Sequence, residues 1–104
     1  MFIIFLLFAP SQTYAAGTTM SLGNLLKVCT TADMNWINFC NGYMQAVNDY
    51  GAKLGVICAP VGTSRTDLVR TLERNAQSLA SANVDSVDAF YGAAALIERS
   101  YPCK

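Results

Sequence analysis

The chain has 104 residues, of which 53% are hydrophobic; seven basic and seven acidic residues cancel to a formal net charge of zero, and histidine is absent. A neutral chain of this length is one domain, without the basic excess that nucleic acid or an anionic membrane surface selects, and without the side chain that most often serves as a general base or completes a zinc site. Four cysteines, Cys29, Cys40, Cys58 and Cys103, follow a greasy leader, a pairing that implies export to an oxidising compartment where thiols become cross-links.

Residues 1–15 read as a signal peptide. Residues 2–9 are apolar, a length that fits a signal core and is too short to span a bilayer, and Thr13 and Ala15 occupy the −3 and −1 positions of a cleavage site. No Lys or Arg precedes the apolar run. Cleavage leaves a single domain over residues 16–104, small enough for cross-links to matter. That remainder has no other apolar stretch long enough for a membrane span.

Four segments carry helical periodicity, which makes the fold class all-α: a small disulfide-stapled bundle of about four helices. The first covers about 21–30, with Ser21 as N-cap and Leu22, Leu25, Leu26 and Cys29 in one stripe. The second covers about 34–54. Trp36, Phe39, Cys40, Tyr43, Met44, Val47, Tyr50 and Leu54 share its apolar face, and Asn38, Asn41, Gln45, Asn48, Asp49 and Lys53 its polar one. Gly42 sits mid-helix at a cost of about 1 kcal/mol relative to Ala, which points to close backbone approach, and Gly55 is a natural stop. Residues 55–63 form a non-helical connection punctuated by Pro60 and Gly62.

The third helix covers about 64–80, with Ser64 and Asp67 at capping-box spacing. Leu68, Val69, Leu72, Ala76 and Leu79 face inward, and Arg70, Arg74 and Gln77 share the opposite face. Residues 81–85 make a short polar loop. The fourth helix runs from about 86 to 100, with Val87, Phe90, Tyr91, Ala94 and Ile97 in its first stripe, and Pro102 ends it. Its second face, Ala89, Gly92, Ala93 and Leu96, is also uncharged. A helix apolar all round is either central to the fold or faces a partner chain.

Four cysteines permit three pairings. Cys29 and Cys40 point to the inner faces of their helices on either side of a tight turn, and Cys58 and Cys103 both follow helix ends. The expected pairs are therefore Cys29–Cys40 and Cys58–Cys103, worth ~3 and ~4 kcal/mol by loop-closure entropy. No Cys-x-x-Cys pair is present, so neither a metal site nor a redox-active dithiol is expected. Nor is there a Gly-x-Ser-x-Gly elbow, a phosphate-binding loop or a dinucleotide fingerprint. Glu98 alone among the acids falls within an apolar stripe, where it pairs with an Arg or reaches past the helix end if it is not a buried functional acid. The chain reads as a non-enzyme with no cofactor.

Cys40-Asn-Gly-Tyr-Met opening a helix with Asp49 further along it, Cys58-Ala-Pro-Val-Gly-Thr leading into the next helix, and the closing Tyr101-Pro102-Cys103 resemble, in order and spacing, the signature of the Rap/Tai immunity proteins. Ala46 and Asn48 depart from that family's Gly-Val-x-Asp run. The resemblance implies a small helical protein of the Gram-negative periplasm. It would neutralise a toxin of the type VI secretion system, usually a papain-like peptidoglycan amidase, by blocking its substrate groove, often as a homodimer.

Helical phase nominates the surfaces. Arg70, Arg74 and Gln77 on helix three and the loop 81–86, with Ser81, Asn83 and Asp85, are the expected toxin-binding elements. Ala89, Gly92, Ala93 and Leu96 are the expected dimer face. Two other functions stay open at this point. One is an HdeA-like periplasmic holdase, which the few charges and two bridges disfavour. The other is a helical carrier of lipid or another small ligand, with Trp36, Phe39 and Tyr43 as a cavity wall instead of core.

Overall fold

The computed structural model describes residues 19–30, 33–79 and 83–104. The leader, its cleavage site before Ala16, and Ser81 lie outside the described residues. Among the described residues the fold is all-helical, with four α-helices, no strand, and two disulfides. No helix among them is long and apolar enough to cross a membrane.

Each helix starts where a short polar side chain can satisfy its free N–H groups. Ser21 accepts from the Asn24 N–H at 3.1 Å and opens α1 (Leu22–Cys29). Asp33 accepts from the Asn35 N–H at 2.9 Å and opens α2 (Met34–Leu54), which Gly55 closes at φ 76°. Ser64 and Asp67 form a reciprocal capping box, 3.0 and 3.1 Å, at the start of α3 (Arg65–Ala76). Asp88 accepts from the Tyr91 N–H at 3.0 Å and opens α4 (Ala89–Ser100).

Two helices are shorter than their periodicity suggests. Regular α-structure in α3 stops at Ala76 and tightens into a 3₁₀ turn, Gln77–Leu79. There the Ser78 hydroxyl takes the Asn75 carbonyl at 2.7 Å, a local competitor of the helical ladder. Helix α4 begins at Ala89 instead of 86 because the chain before it is claimed elsewhere. A 3₁₀ turn spans Val84–Ser86, the Leu22 N–H takes the Val87 carbonyl at 2.7 Å, and the Ala89 N–H takes the Met20 carbonyl at 2.9 Å. Residues 87 and 88 are therefore held extended against the start of α1.

The core draws on all four helices and the connection: Leu22 and Leu25, Met44 and Val47, Ile57, Leu68 and Leu72, Ala93, Leu96 and Ile97. The cysteines pair as expected from helical phase for Cys29 and Cys40 and from helix ends for Cys58 and Cys103. Cys29–Cys40 joins α1 to α2 with Cα atoms 5.5 Å apart, and Cys58–Cys103 joins the α2–α3 connection to the C-terminus at 5.0 Å. A second fastening lies beside the latter bridge: the Cys58 N–H donates to the Tyr101 carbonyl at 2.7 Å, and Ile57 faces Pro102 across an antiparallel bridge. Gly51 is buried because Ile57 folds back onto it and leaves no room for a Cβ.

The apolar stripe of α2 needs correcting. Its buried positions are Cys40, Met44, Val47 and Gly51, whereas Trp36, Phe39, Tyr50 and Leu54 are exposed. At 100° per residue, the exposed aromatic positions lie roughly 90° around the helix from the centre of the buried set. The stripe is wide enough for α1, α3 and α4 to cover only part of it.

Candidate functional site

The outer face of α3 presents the predicted cations on a fixed support. Arg70 is exposed and pairs with Asp67 at 3.2 Å. The Asp67 carboxylate also accepts the Ser64 backbone N–H at 3.1 Å, and the Asp67 backbone N–H donates to the Ser64 hydroxyl at 3.0 Å. These bonds, with Arg70 and Arg74 nearby, hold its pKa below the usual carboxylate range.

Arg74, one turn on, donates to the Thr71 hydroxyl at 3.2 Å. Thr71 is fully buried and its hydroxyl donates to the Asp67 carbonyl at 2.8 Å. Asn75 reaches from α3 to the Ser100 hydroxyl at 2.9 Å, and Arg99 returns from α4 to the Ser78 hydroxyl at 3.3 Å. Gln77 is exposed on the 3₁₀ turn that follows. The stems of this face are thus tied into α4 while Arg70 and Gln77 point to solvent.

The second predicted element, the loop to residue 86, is braced at its far end. Asn83 and Asp85 are both exposed. The Asn83 carbonyl accepts the Ser86 hydroxyl at 3.0 Å. Asp85 lies against α1, where its carboxylate occupies the space a Cβ on Gly23 would need. With the main-chain bonds of Leu22 and Ala89, these contacts fix the segment beside an open polar cleft of about 280 Å³ that includes Ser21, Asp85, Ser86 and Asp88. The two predicted elements are held by different supports, α4 for one and α1 for the other.

A groove that periodicity did not show lies beside Arg70. Ile37, Asn41, Thr66, Val69 and Glu73 line about 200 Å³ over the Cys29–Cys40 bridge, with Arg70 at its edge. It is mostly apolar and open, the shape that takes a projecting side chain from a partner. The signal available in the sequence was the phase of Ile37, which falls between the buried and polar faces of α2.

The predicted dimer face is not a surface. Ala89, Gly92, Ala93 and Leu96 are all buried within the single chain. A Cβ on Gly92 would press on Leu22 of α1 at 2.9 Å and on Val87 at 3.0 Å. The small residues there admit α1, which is the core alternative for a helix apolar all round. Glu98 is exposed, so the stripe it was assigned to does not bury it. Trp36, Phe39 and Tyr43 likewise form neither a core centre nor an enclosed wall; they begin a row of rings along the surface of α2 and α4.

All four cysteines are consumed in bridges. Among the described residues no group of three or more His, Cys, Asp or Glu is placed to hold a metal ion. Comparison with protein-family models, curated proteins and solved structures finds no match.

Proposed function

We propose that the chain is an exported immunity protein of the Gram-negative periplasm. In this reading it binds a type VI secretion peptidoglycan amidase and occludes the toxin's substrate groove. The observation that carries it is how the three motif segments meet. Cys40 is bridged to α1, Cys58 is bridged to Cys103, and Tyr101 is bonded to both Cys58 and Thr71. The resulting frame leaves Arg70, Arg74, Gln77, Asn83 and Asp85 outside it. Structural disulfides belong to oxidising, extracytoplasmic compartments, which agrees with export.

The physics of inhibition favours such a frame. A binder that is already ordered loses little conformational freedom on association, so more of its contact energy appears as affinity. Exposed guanidinium groups supply bidentate contacts to a partner's carboxylates or carbonyls, and the groove beside Arg70 supplies an apolar socket. With no histidine and no free thiol in the chain, a binding role asks for no chemistry that its residues lack.

The test is rescue of growth in cells making, in their periplasm, the amidase encoded next to this gene. Wild-type protein should restore growth and bind the purified amidase. Combined Arg74→Ala, Asn83→Ala and Asp85→Ala changes should weaken binding at least about 100-fold, the loss expected when central contacts go. Unchanged affinity rejects this surface, and wild-type protein that neither binds nor protects rejects the function.

A further inference from the structure

A groove of about 280 Å³ runs beside α4. Its floor is one stripe of that helix, Gly92, Ala95 and Leu96, at the spacing that puts side chains on a single face. Leu22 of α1, Leu79 of the turn after α3, and Val84 and Val87 ahead of α4 make the walls. The surface inside is almost wholly carbon. Small floor residues keep it open. A Cβ on Gly92 would press on Leu22 at 2.9 Å and on Val87 at 3.0 Å, so glycine lets both walls stand close to the backbone. Ala95 is exposed, and a larger side chain there would occupy the trough. The walls are pinned by main-chain bonds, since the Leu22 N–H donates to the Val87 carbonyl at 2.7 Å. A groove already formed loses little freedom when it is filled.

One cation ends the stripe. Arg99 also lines the groove, about two turns and about 10 Å along α4 from Gly92. Its guanidinium is steadied by a neutral group, the Ser78 hydroxyl, at 3.3 Å. That hydroxyl is itself fixed by donating to the Asn75 carbonyl at 2.7 Å. Among the described residues the one salt bridge is Arg70–Asp67, so no carboxylate of the chain meets Arg99. Glu98, its neighbour in sequence, projects about 100° around the helix from it.

We propose that this groove binds a medium-chain fatty acid, with its carboxylate on Arg99 and its alkyl chain laid along the floor toward Val87. Charge and length carry the assignment. A carboxylate is the partner Arg99 lacks, and a guanidinium can hold both of its oxygens. At about 30 Å³ for a group the size of a water molecule, a volume of about 280 Å³ holds roughly nine methylene groups. A peptide would carry backbone N–H and carbonyl groups onto a carbon surface that offers them no bonds, which is costly, whereas an alkyl chain carries none. The site uses none of the residues assigned to the amidase and does not depend on the proposed function.

The test is isothermal titration calorimetry of sodium decanoate, below its micelle-forming concentration, into the chain with both bridges intact. A Kd of about 0.1 mM is expected for a ligand of this size. Octanoate should bind about tenfold more weakly, because two methylene groups are lost. Decyltrimethylammonium, the same chain with a cationic head, should also bind at least about tenfold more weakly. Arg99→Gln should weaken decanoate at least about tenfold, and Arg99→Lys, which keeps the charge, should stay within about fivefold of wild type. Ala95→Phe should abolish binding by filling the trough, and Arg70→Gln, on another helix, should leave it unchanged. These positions are all exposed, and unaltered circular dichroism would show that the variants fold. Several results would overturn the proposal: no binding of decanoate at about 2 mM, an Arg99→Gln or Ala95→Phe variant that binds it as tightly as wild type, or a Val-Leu-Leu peptide with a free carboxylate that binds more tightly than decanoate.

Discussion

The hydroxyls of Thr71 and Tyr101, thirty residues apart, lie 3.3 Å from each other, and the proton inventory decides which one donates. Thr71 gives its single hydroxyl hydrogen to the Asp67 carbonyl at 2.8 Å. Tyr101 must therefore donate to Thr71, as Arg74 does at 3.2 Å, so the buried threonine oxygen has both lone pairs filled. This contact fastens the C-terminus to the middle of α3. Thr71→Val keeps the shape but removes the acceptor, and should lower stability by about 1–3 kcal/mol, since a polar group is left without a partner. Tyr101→Phe leaves Thr71 two partners and should cost about 1 kcal/mol. Urea denaturation with the bridges intact measures both.

Two glycines of α2 should respond oppositely to the same change. Gly51→Ala drives a methyl group into the buried Ile57 side chain and should destabilise by about 1–3 kcal/mol. Gly42→Ala meets open space, and should stabilise the monomer by up to ~1 kcal/mol through helix propensity alone. Thermal melts of the two variants give the comparison.

The bridges should open in a fixed order. Cys29 and Cys40 are buried, while Cys58 is exposed and Cys103 partly so. A thiolate must reach a sulfur to exchange with it, so limiting reductant should cleave Cys58–Cys103 first. Alkylation followed by mass analysis reads the order directly. Replacing both Cys58 and Cys103 by Ala should cost about 2–4 kcal/mol, since the loop they close is long.

The start of α3 should weaken in acid. The Asp67 pKa is depressed in the folded chain, chiefly by the Ser64 backbone N–H and then by the Ser64 side chain. A depressed carboxyl adds stability that is present above its unfolded value, about pH 4, and is lost as the pH falls through its folded value. Asp67→Asn should flatten this acid limb. Ser64→Ala should cost about 1 kcal/mol at neutral pH by leaving a helix N–H unpaired.

Much of this architecture was legible because it is local. Ser21, Ser64 with Asp67, and Gly55 mark helix ends through bonds made within a few residues. The cysteine pairs followed from the helical phase of Cys29 and Cys40 and from the positions of Cys58 and Cys103 after helix ends. The end of α3 and the start of α4 were misplaced because Ser78 and the carbonyls of Met20 and Val87 make competing bonds, two of them to distant chain. For the candidate surface, Arg70, Arg74, Gln77, Asn83 and Asp85 were readable as polar and outward. The groove over the Cys29–Cys40 bridge was not, since it exists only where α3 lies across α2.

The sequence by itself determined the four helices, the caps at Ser21 and Ser64, the stop at Gly55, the two staples and the absence of an imidazole. Only the tertiary structure decided which apolar face each helix buries. Periodicity gives the relative phase of side chains on a helix, but burial depends on which neighbours arrive. On α4 the small face of Ala89, Gly92, Ala93 and Leu96 was taken by α1, because only small residues let Leu22 come that close. On α2 the large rings from Trp36 to Tyr50 were left at the edge, since the smaller Cys40, Met44, Val47 and Gly51 admit the other helices and the bulkier stripe does not.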